Sequence, residues 1–266
     1  MTRDIPAPEL LDLIREHAGE ITGVRPAFRG NTSTTFLVDS ESGAFFVKGA
    51  RNRPGGHRDS LIREELINPY VVPLSPALRW RAENEAWIVL GFDEIHGRPA
   101  GFQPGSPDLP TVINIINQIS GIPLPEIARD WPETRWDRFA SSTAEARLFA
   151  GDSLLYTDIN PDNFLIGDHE SWAVDWAWPT RGAAFIDPAC LVVQLIATGH
   201  SAASAEALAT GCTAWTSADP SAIDAFATAT RRIWEERADR QPEAAWLRAM
   251  TAAAQEWSDH RNSIRR

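Results

Sequence analysis

The stretch from Ser153 to Asp175 constrains the fold of this chain more than any other part of the sequence. Its apolar runs predict three short strands, over residues 154–156, 163–166 and 171–174, with a Gly-Asp-His-Glu turn between the last two. Asp158 and Asn163 lie five positions apart in the loop between the first two strands, and Asp175 follows the third. Because a hairpin returns the chain antiparallel to itself, we expect Asp175 to come back beside Asn163.

These three residues have the side chains that phosphoryl transfer from a nucleotide requires. One carboxylate is needed near the attacking hydroxyl, and oxygen ligands are needed for Mg²⁺ near the phosphates. Asp158 is the candidate catalytic carboxylate. Because Mg²⁺ accepts oxygen donors, Asn163 and Asp175 are the candidate Mg²⁺ ligands. The alternative is a capped loop with solvated acids, because Asp-x-x-x-x-Asn by itself is common by chance.

The same segment resembles the catalytic centre of the aminoglycoside phosphotransferase family, in the stretches YTDINPDN (156–163) and VDW (174–176). The departures from the family pattern are Tyr156, Thr157, Asn160 and Asp162, and none removes the three oxygen-bearing groups. The resemblance implies an α+β, bilobal protein-kinase-like fold with a small five-stranded antiparallel N-lobe and a mostly helical C-lobe. It also implies a phosphotransferase that uses ATP or GTP together with Mg²⁺.

The first third of the sequence predicts this N-lobe. A helix is predicted over residues 8–17, and strands are predicted over 21–28, 34–38, 44–49, 77–81 and 86–90. The first turn contains Gly30, Asn31, Thr32 and Ser33, at the position of a kinase's phosphate-covering loop. With a single glycine this segment is also compatible with an ordinary hairpin turn. We expect its backbone N–H groups and hydroxyls to contact phosphate.

Lys48 ends the third predicted strand and shares a face with Phe46. A lysine at a strand end is usually solvated, but a kinase-like fold places one there to bind the α- and β-phosphates, oriented by a glutamate on a helix. The predicted helix over residues 57–68 offers Glu64 and Glu65. We favour Glu64, which matches the family's position, because Glu65 lies about 100° further around the helix and is expected to face solvent.

Gly91, Phe92 and Asp93 follow the last predicted N-lobe strand, where the pattern breaks at a glycine. The resemblance implies that backbone groups here pair with the adenine edge; an ordinary interdomain linker is the alternative. We therefore predict a nucleotide-binding lobe over residues 1–91, a hinge over 92–97 and a catalytic, acceptor-binding helical lobe over 98–266.

The predicted C-lobe is rich in helical patterns. Helices are expected over residues 111–120, 133–150, 191–198, 202–217, 220–238 and 242–258. Asp187 and Pro188 are predicted as the N-cap and first residue of the helix that they open, and the family pattern adds hydrogen bonds from Asp187 to the catalytic-loop backbone. Four acids of the C-lobe could bind a cationic acceptor, although a solvated helix face explains them equally well: Asp224, Glu235, Glu236 and Asp259.

Composition narrows the function classes. The 266 residues are 43% hydrophobic and 23% charged, as in globular proteins, and no apolar run approaches the roughly 20 residues of a membrane span. The formal charge of −11 argues against a nucleic-acid partner. The acidic, proline-containing N-terminus is unlike a signal peptide, so a cytoplasmic location is expected. Cys190 and Cys212 fit no metal-binding spacing and are expected to be buried free thiols.

The sequence therefore predicts a Mg²⁺-dependent phosphotransferase that moves the γ-phosphate of ATP or GTP to a hydroxyl of a small molecule. An aminoglycoside-like, cationic antibiotic is one candidate acceptor. The alternatives are a kinase of a primary metabolite, such as an amino alcohol or a sugar, and a nucleotide-binding module without catalysis. A monomer and a homodimer are both compatible with the sequence.

Overall fold

A computed structural model describes residues 6–27 and 34–264 of the chain. Its contacts divide the chain into two compact units. The first unit contains the residues up to Gly97 and, in addition, the later segment Val174–Trp178. The second contains Arg98–Ala173 and the residues from Pro179 onwards. Asp175 thus belongs to the first unit although it follows a strand of the second.

The first unit contains the five-stranded antiparallel sheet that the sequence predicts. Its strands are β1 (Ile21–Pro26), β2 (Thr34–Ser40), β3 (Gly43–Arg51), β4 (Leu78–Glu83) and β5 (Trp87–Asp93). They are hydrogen-bonded in the order β1-β2-β3-β5-β4, so that β5 is inserted between β3 and β4. Two helices accompany the sheet, α1 (Pro8–Ala18) and α2 (Gly56–Val71).

The two helices contribute to separate cores on opposite faces of this sheet. Leu10 and Ile14 of α1 share one core with Val89 of β5, whereas Leu61 of α2 shares the other with Leu90. Because successive residues of a strand point to opposite faces, neighbouring positions of β5 serve both cores. β5 is therefore buried on both sides, which explains its unbroken apolar sequence.

The second unit combines two small antiparallel sheets with most of the helices. Its strands are β6 (Arg98–Pro99), β7 (Ser153–Leu155), β8 (Phe164–Ile166), β9 (Ser171–Ala173) and β10 (Thr180–Gly182). β8 pairs with β6 and β9, and β7 pairs with β10. Its helices are α3 (Leu109–Ser120), α4 (Thr143–Ala146), α5 (Ile186–Ala197), α6 (Ala202–Ala209), α7 (Thr213–Thr216), α8 (Pro220–Arg240) and α9 (Ala245–Ile264).

Two helix predictions in the second unit are wrong. The segment predicted as one helix over 133–150 forms only short pieces, including a 3₁₀ turn at Asp137–Phe139 and the four-residue α4. The segment predicted as one helix over 202–217 ends at Ala209 and restarts as α7. A glycine, Gly211, lies in this interruption, where helix propensity is low. In the described ranges, no helix combines the length and the apolar character needed to cross a bilayer.

Candidate active site

Lys48 lies on β3 and is almost completely buried, with 8% of its surface exposed. The two-residue period of the strand directs it to the side of the sheet that α2 covers, opposite to Val47. Its ammonium group donates to both oxygens of Glu64, at 2.7 and 2.8 Å, and to Asp175 Oδ1 at 2.8 Å. Lys48 is also the only lysine in the sequence, so every other basic side chain that is permanently charged is an arginine.

Glu64 reaches Lys48 because of its position on α2. Leu61, Glu64 and Asn68 are buried at a spacing of three and four residues, which places them on one stripe of the helix. Glu65 lies outside this stripe and forms an ion pair with Arg81 at 2.9 Å, rather than facing solvent alone. Of the two glutamates considered from the sequence, the structure brings Glu64 to the lysine.

Asp175 is held in an unusual backbone conformation beside Lys48. Its φ of 65° lies in the left-handed region, which aspartate tolerates better than most residues. The segment around it is fixed by further contacts with α2. The Trp176 N–H donates to Glu64, and the Arg63 guanidinium lies 5.2 Å from the ring centre of Trp178. Since 47% of the Asp175 side chain is exposed, the carboxylate remains accessible.

The charge balance of this group keeps Lys48 protonated. Burial alone would lower the pKa of Lys48, but the carboxylates of Glu64 and Asp175 outweigh it and raise that pKa above its ordinary value. One ammonium thus faces two carboxylates. The group carries a net negative charge if both carboxylates are ionised, and its exposed part is Asp175.

The second set of predicted residues lies in the loop between β7 and β8. Asn163 is buried, and its side-chain nitrogen donates to the backbone oxygen of Asp158 at 3.1 Å and to Asp158 Oδ2 at 2.8 Å. The nitrogen of Asn163 is used in this way, so its carbonyl oxygen stays outside both bonds. Asp158 itself is exposed at the surface of the loop.

Two of the residues that depart from the family pattern support Asp158. Asn160 accepts a hydrogen bond from the Asp162 N–H at 3.0 Å and so caps a 3₁₀ turn over Pro161–Asn163. Its nitrogen donates to Asp158 Oδ1 at 3.1 Å. The Asp158 carboxylate is therefore oriented by amides on both oxygens.

Arg135 is a residue of this region that the sequence did not single out. Its Nη2 donates to Thr157 Oγ1 at 2.6 Å, next to Asp158, and the buried Glu133 binds the same guanidinium. Thr157 has a left-handed φ of 61°, so this contact helps to hold a strained backbone. Nothing in the sequence indicated this role for Arg135, because it lies 22 residues from Thr157, in a segment that was predicted to be a helix.

Asp187 lies in the first turn of α5 and is not its N-cap, which is Phe185. Its carboxylate instead accepts the N–H groups of Tyr156 and Thr157, at 3.0 and 2.8 Å, as the family pattern implied. The N-cap prediction was wrong because the helix begins two residues earlier, at Ile186. This side chain ties the start of the catalytic loop to α5.

Asp187 is expected to make stability fall as the pH rises. Burial raises the pKa of Asp187 to about 6, although the two backbone hydrogen bonds and the charge of Arg135 act to lower that pKa. Between the unfolded pKa of about 4 and this value the folded state binds more protons, so ionisation opposes folding by about 2–3 kcal/mol. The free energy of unfolding of the wild type minus that of Asp187→Asn should fall by this amount from pH 4 to pH 7.

Denaturant unfolding at intermediate pH values measures this difference. Asp168→Asn, in the exposed turn between β8 and β9, is the control and should give a difference that changes little with pH. A difference that is constant, or that grows with pH for Asp187→Asn, would contradict the expectation.

The predicted hinge residues lie in the sheet. β5 continues through Gly91, Phe92 and Asp93, which corrects the strand end predicted at Leu90. The Asp93 N–H donates to the backbone oxygen of Ala77 at 2.9 Å and is thus already engaged. Contact between these three residues and a nucleotide stays a prediction.

Two further predictions have a limited outcome. Gly30, Asn31, Thr32 and Ser33, the predicted phosphate-covering turn, lie outside the described residues. Within residues 6–27 and 34–264, no group of three or more His, Cys, Asp or Glu side chains is arranged to hold a metal ion. The proposed Mg²⁺ ligands, one amide and one carboxylate, would not form such a group.

Comparison with solved structures identifies the fold. A spectinomycin phosphotransferase bound to ADP and spectinomycin is 14% identical, with 96% of this chain and 94% of that chain covered and a TM-score of 0.60. The choline kinase LicA from Streptococcus pneumoniae is 12% identical, with 95% of this chain and 99% of that chain covered and a TM-score of 0.61. The aminoglycoside phosphotransferase APH(4)-Ia is 11% identical, with 93% of this chain and 98% of that chain covered and a TM-score of 0.62. No protein-family model and no curated protein matches the sequence.

The chain therefore has the fold of the small-molecule phosphotransferases and kinases. The α+β class and the five-stranded sheet predicted from the sequence are confirmed. The resemblance drawn from the residues 156–163 and 174–176 agrees with this result at the level of the fold. At such low identity the comparison establishes the fold and leaves the reaction to be argued from the residues.

Proposed function

We propose that this protein is a kinase of a small molecule that transfers the γ-phosphate of ATP or GTP to a hydroxyl group. The observation that carries the proposal is the buried Lys48, held by Glu64 and Asp175 on a kinase-like fold. In the proposal, Lys48 binds the α- and β-phosphates and Glu64 orients it.

The donor chemistry of the chain fits Mg²⁺. Asn163 has a carbonyl oxygen outside its two bonds to Asp158, and Asp175 has a second carboxylate oxygen outside its bond to Lys48. Both are hard oxygen donors of the kind that Mg²⁺ prefers. When bound, the ion would neutralise phosphate charge during transfer. We propose Asn163 and Asp175 as its protein ligands.

Asp158 is proposed to orient the acceptor hydroxyl and to accept its proton. The carboxylate is exposed, and the amides of Asn160 and Asn163 fix its direction. Positioned bases of this type contribute about 10²–10⁴-fold to the rate. For a loose phosphoryl transition state, orientation of the hydroxyl can matter more than basicity.

The alternative of a nucleotide-binding module without catalysis rested on the unusual residues Thr157, Asn160 and Asp162. In the structure, Thr157 binds Arg135, and Asn160 and Asp162 form the capped turn that supports Asp158. These substitutions therefore preserve the catalytic loop, which favours an active enzyme.

The test is release of ADP or GDP in the presence of Mg²⁺, with antibiotics and primary metabolites screened as acceptors. Asp175→Asn should weaken nucleotide binding in the presence of Mg²⁺ by more than about tenfold, since it replaces the negative charge of a proposed metal ligand with a neutral amide. Asp168→Asn is the matched control. The proposal would be contradicted if no acceptor stimulated the release of ADP or GDP and if nucleotide binding by Asp175→Asn kept the Mg²⁺ dependence of the wild type.

A further inference from the structure

The acids that the sequence offered for a cationic acceptor are all engaged within the protein. They are Asp224, Glu235, Glu236 and Asp259. Their partners are Arg261 for Asp224, Arg231 for Glu235, Arg138 and Arg240 for Glu236, and Gln255 for Asp259, at distances of 2.5 to 2.9 Å. A carboxylate that is already paired with an arginine attracts a cationic ligand weakly, so three of these four acids, Asp224, Glu235 and Glu236, offer little to a cationic acceptor.

Arg237 on α8 is in the opposite situation. Its guanidinium lies 4.7 Å from the ring centre of Trp234, and that indole packs edge-on against Trp246 at 6.1 Å. Within residues 6–27 and 34–264, Arg237 forms no ion pair and no hydrogen bond, and it is exposed. Stacking on an indole orients the guanidinium and leaves its N–H groups for a ligand.

Contacts of the C-terminal part of α8, which carries Arg237, connect this helix to the segment that supports the catalytic loop. Arg232 Nη1 donates to the backbone oxygen of Phe139 at 2.7 Å, and Arg138 Nη2 donates to Glu236 at 2.6 Å. These bonds fix the end of α8 against the segment that follows Arg135. Arg135 in turn binds Thr157, the neighbour of Asp158.

Electrostatic interactions link the same groups. Although the residue as a whole is exposed, partial desolvation of its guanidinium, followed by the like charge of Arg135, lowers the pKa of Arg237, and Asp158 is among the groups that oppose this effect. Arg135 also interacts with Asp158. Both guanidinium groups thus interact electrostatically with the proposed base and with each other, and an anion bound beside them would relieve their repulsion.

We propose that the acceptor is an alcohol that also carries an oxyanion, a carboxylate or a phosphate, and that Arg237 binds this group. The inference rests on the proposed kinase activity and specifies its acceptor. Arginine suits this task because its planar fork binds carboxylate and phosphate in a bidentate manner. The exposed indole of Trp246 and its contact with Trp234 add an apolar wall beside the guanidinium.

The test compares compounds that differ in one charged group. Glycerol, glycerate, glycerol 3-phosphate and 3-amino-1,2-propanediol form one set; glucose, gluconate, glucose 6-phosphate and glucosamine form a second. Binding is measured by calorimetry in the presence of Mg²⁺ and a non-hydrolysable ATP analogue, and turnover is measured as ADP release. At least one anionic member should bind about tenfold or more tightly than its neutral and cationic counterparts.

Arg237→Gln should raise KM for that anionic compound by about tenfold or more and leave kcat within a few-fold, because the residue binds the acceptor and does not touch the reacting atoms. Arg240→Gln is the control: Arg240 is on the same helix and is paired with Glu236. The carboxylate and phosphate members distinguish the two oxyanions.

Equal or tighter binding of the neutral or cationic compounds, failure of every anionic compound, or an unchanged KM in Arg237→Gln would overturn the inference. These results remain distinct from failure of the kinase proposal. If nucleotide turnover is intact and depends on Asp158, the enzyme assignment stands and only the acceptor class is wrong.

Discussion

Replacing Asp158 with asparagine is expected to lower phosphoryl transfer by about 10²–10⁴-fold, the range that a positioned general base supplies. The substitution keeps the size of the side chain but removes the charge that attracts the acceptor proton. Nucleotide affinity should change by less than about threefold, since the proposed nucleotide contacts are made by Lys48, Asn163 and Asp175. Steady-state ADP release and calorimetric titration with a non-hydrolysable ATP analogue measure the two quantities separately.

A structural effect must be separated from loss of the base. In the Asp158→Asn variant, the new side-chain N–H₂ group would face an amide nitrogen of Asn160 or Asn163, both of which now donate to the carboxylate. A second variant, Asp158→Ala, avoids this opposition of donors and should show the same loss of transfer. If either variant lost nucleotide binding while acceptor phosphorylation persisted, the assigned role would be wrong.

The strand pattern of the first unit could be predicted because burial and a period of two act together there. The end of the last strand was predicted at Leu90, just before Gly91, and this prediction was wrong for a physical reason. A glycine after an apolar run indicates a turn, but this glycine lies within β5. A Cβ at this position would lie 2.1 Å from Trp80 Cε2. The residue therefore permits close approach of an indole, a cause that only the folded structure reveals.

The helix predicted over residues 133–150 failed because tertiary hydrogen bonds replace the helical ones. The Glu133 N–H donates to the backbone oxygen of Arg181 at 2.8 Å, and the Arg181 N–H donates to that of Trp131 at 2.7 Å. Such pairing depends on a segment almost 50 residues away. Helical spacing of apolar residues cannot indicate it, so β10 was also missed.

The site was predictable where one residue's role follows from local periodicity. Glu64 could be preferred to Glu65 because 100° separates successive residues of a helix, and Asp158 and Asn163 share one short loop. Arg135 and Arg237 could not be found, since each acts through a contact that the fold creates. The number of lysines could also have pointed to this site, because an arginine-rich sequence has its single lysine at position 48.

Replacing Lys48 with methionine is expected to abolish tight nucleotide binding and to destabilise the fold. The substitution leaves Glu64 buried without its cation, and breaking a buried pair in this way costs about 3–5 kcal/mol. The loss should be smaller at low pH, where Glu64 can bind a proton. Denaturant unfolding at pH 5 and pH 8 and calorimetry with an ATP analogue and Mg²⁺ check both expectations.

The double variant Lys48→Met with Glu64→Gln separates the two effects of the lysine. It contains no buried unpaired carboxylate, so it should regain much of the lost stability, a non-additive result expected for residues in contact. Nucleotide affinity should stay low, because the positive charge proposed to bind the phosphates is still missing. Near-normal nucleotide affinity in the stable double variant would show that Lys48 serves the fold and not the phosphates.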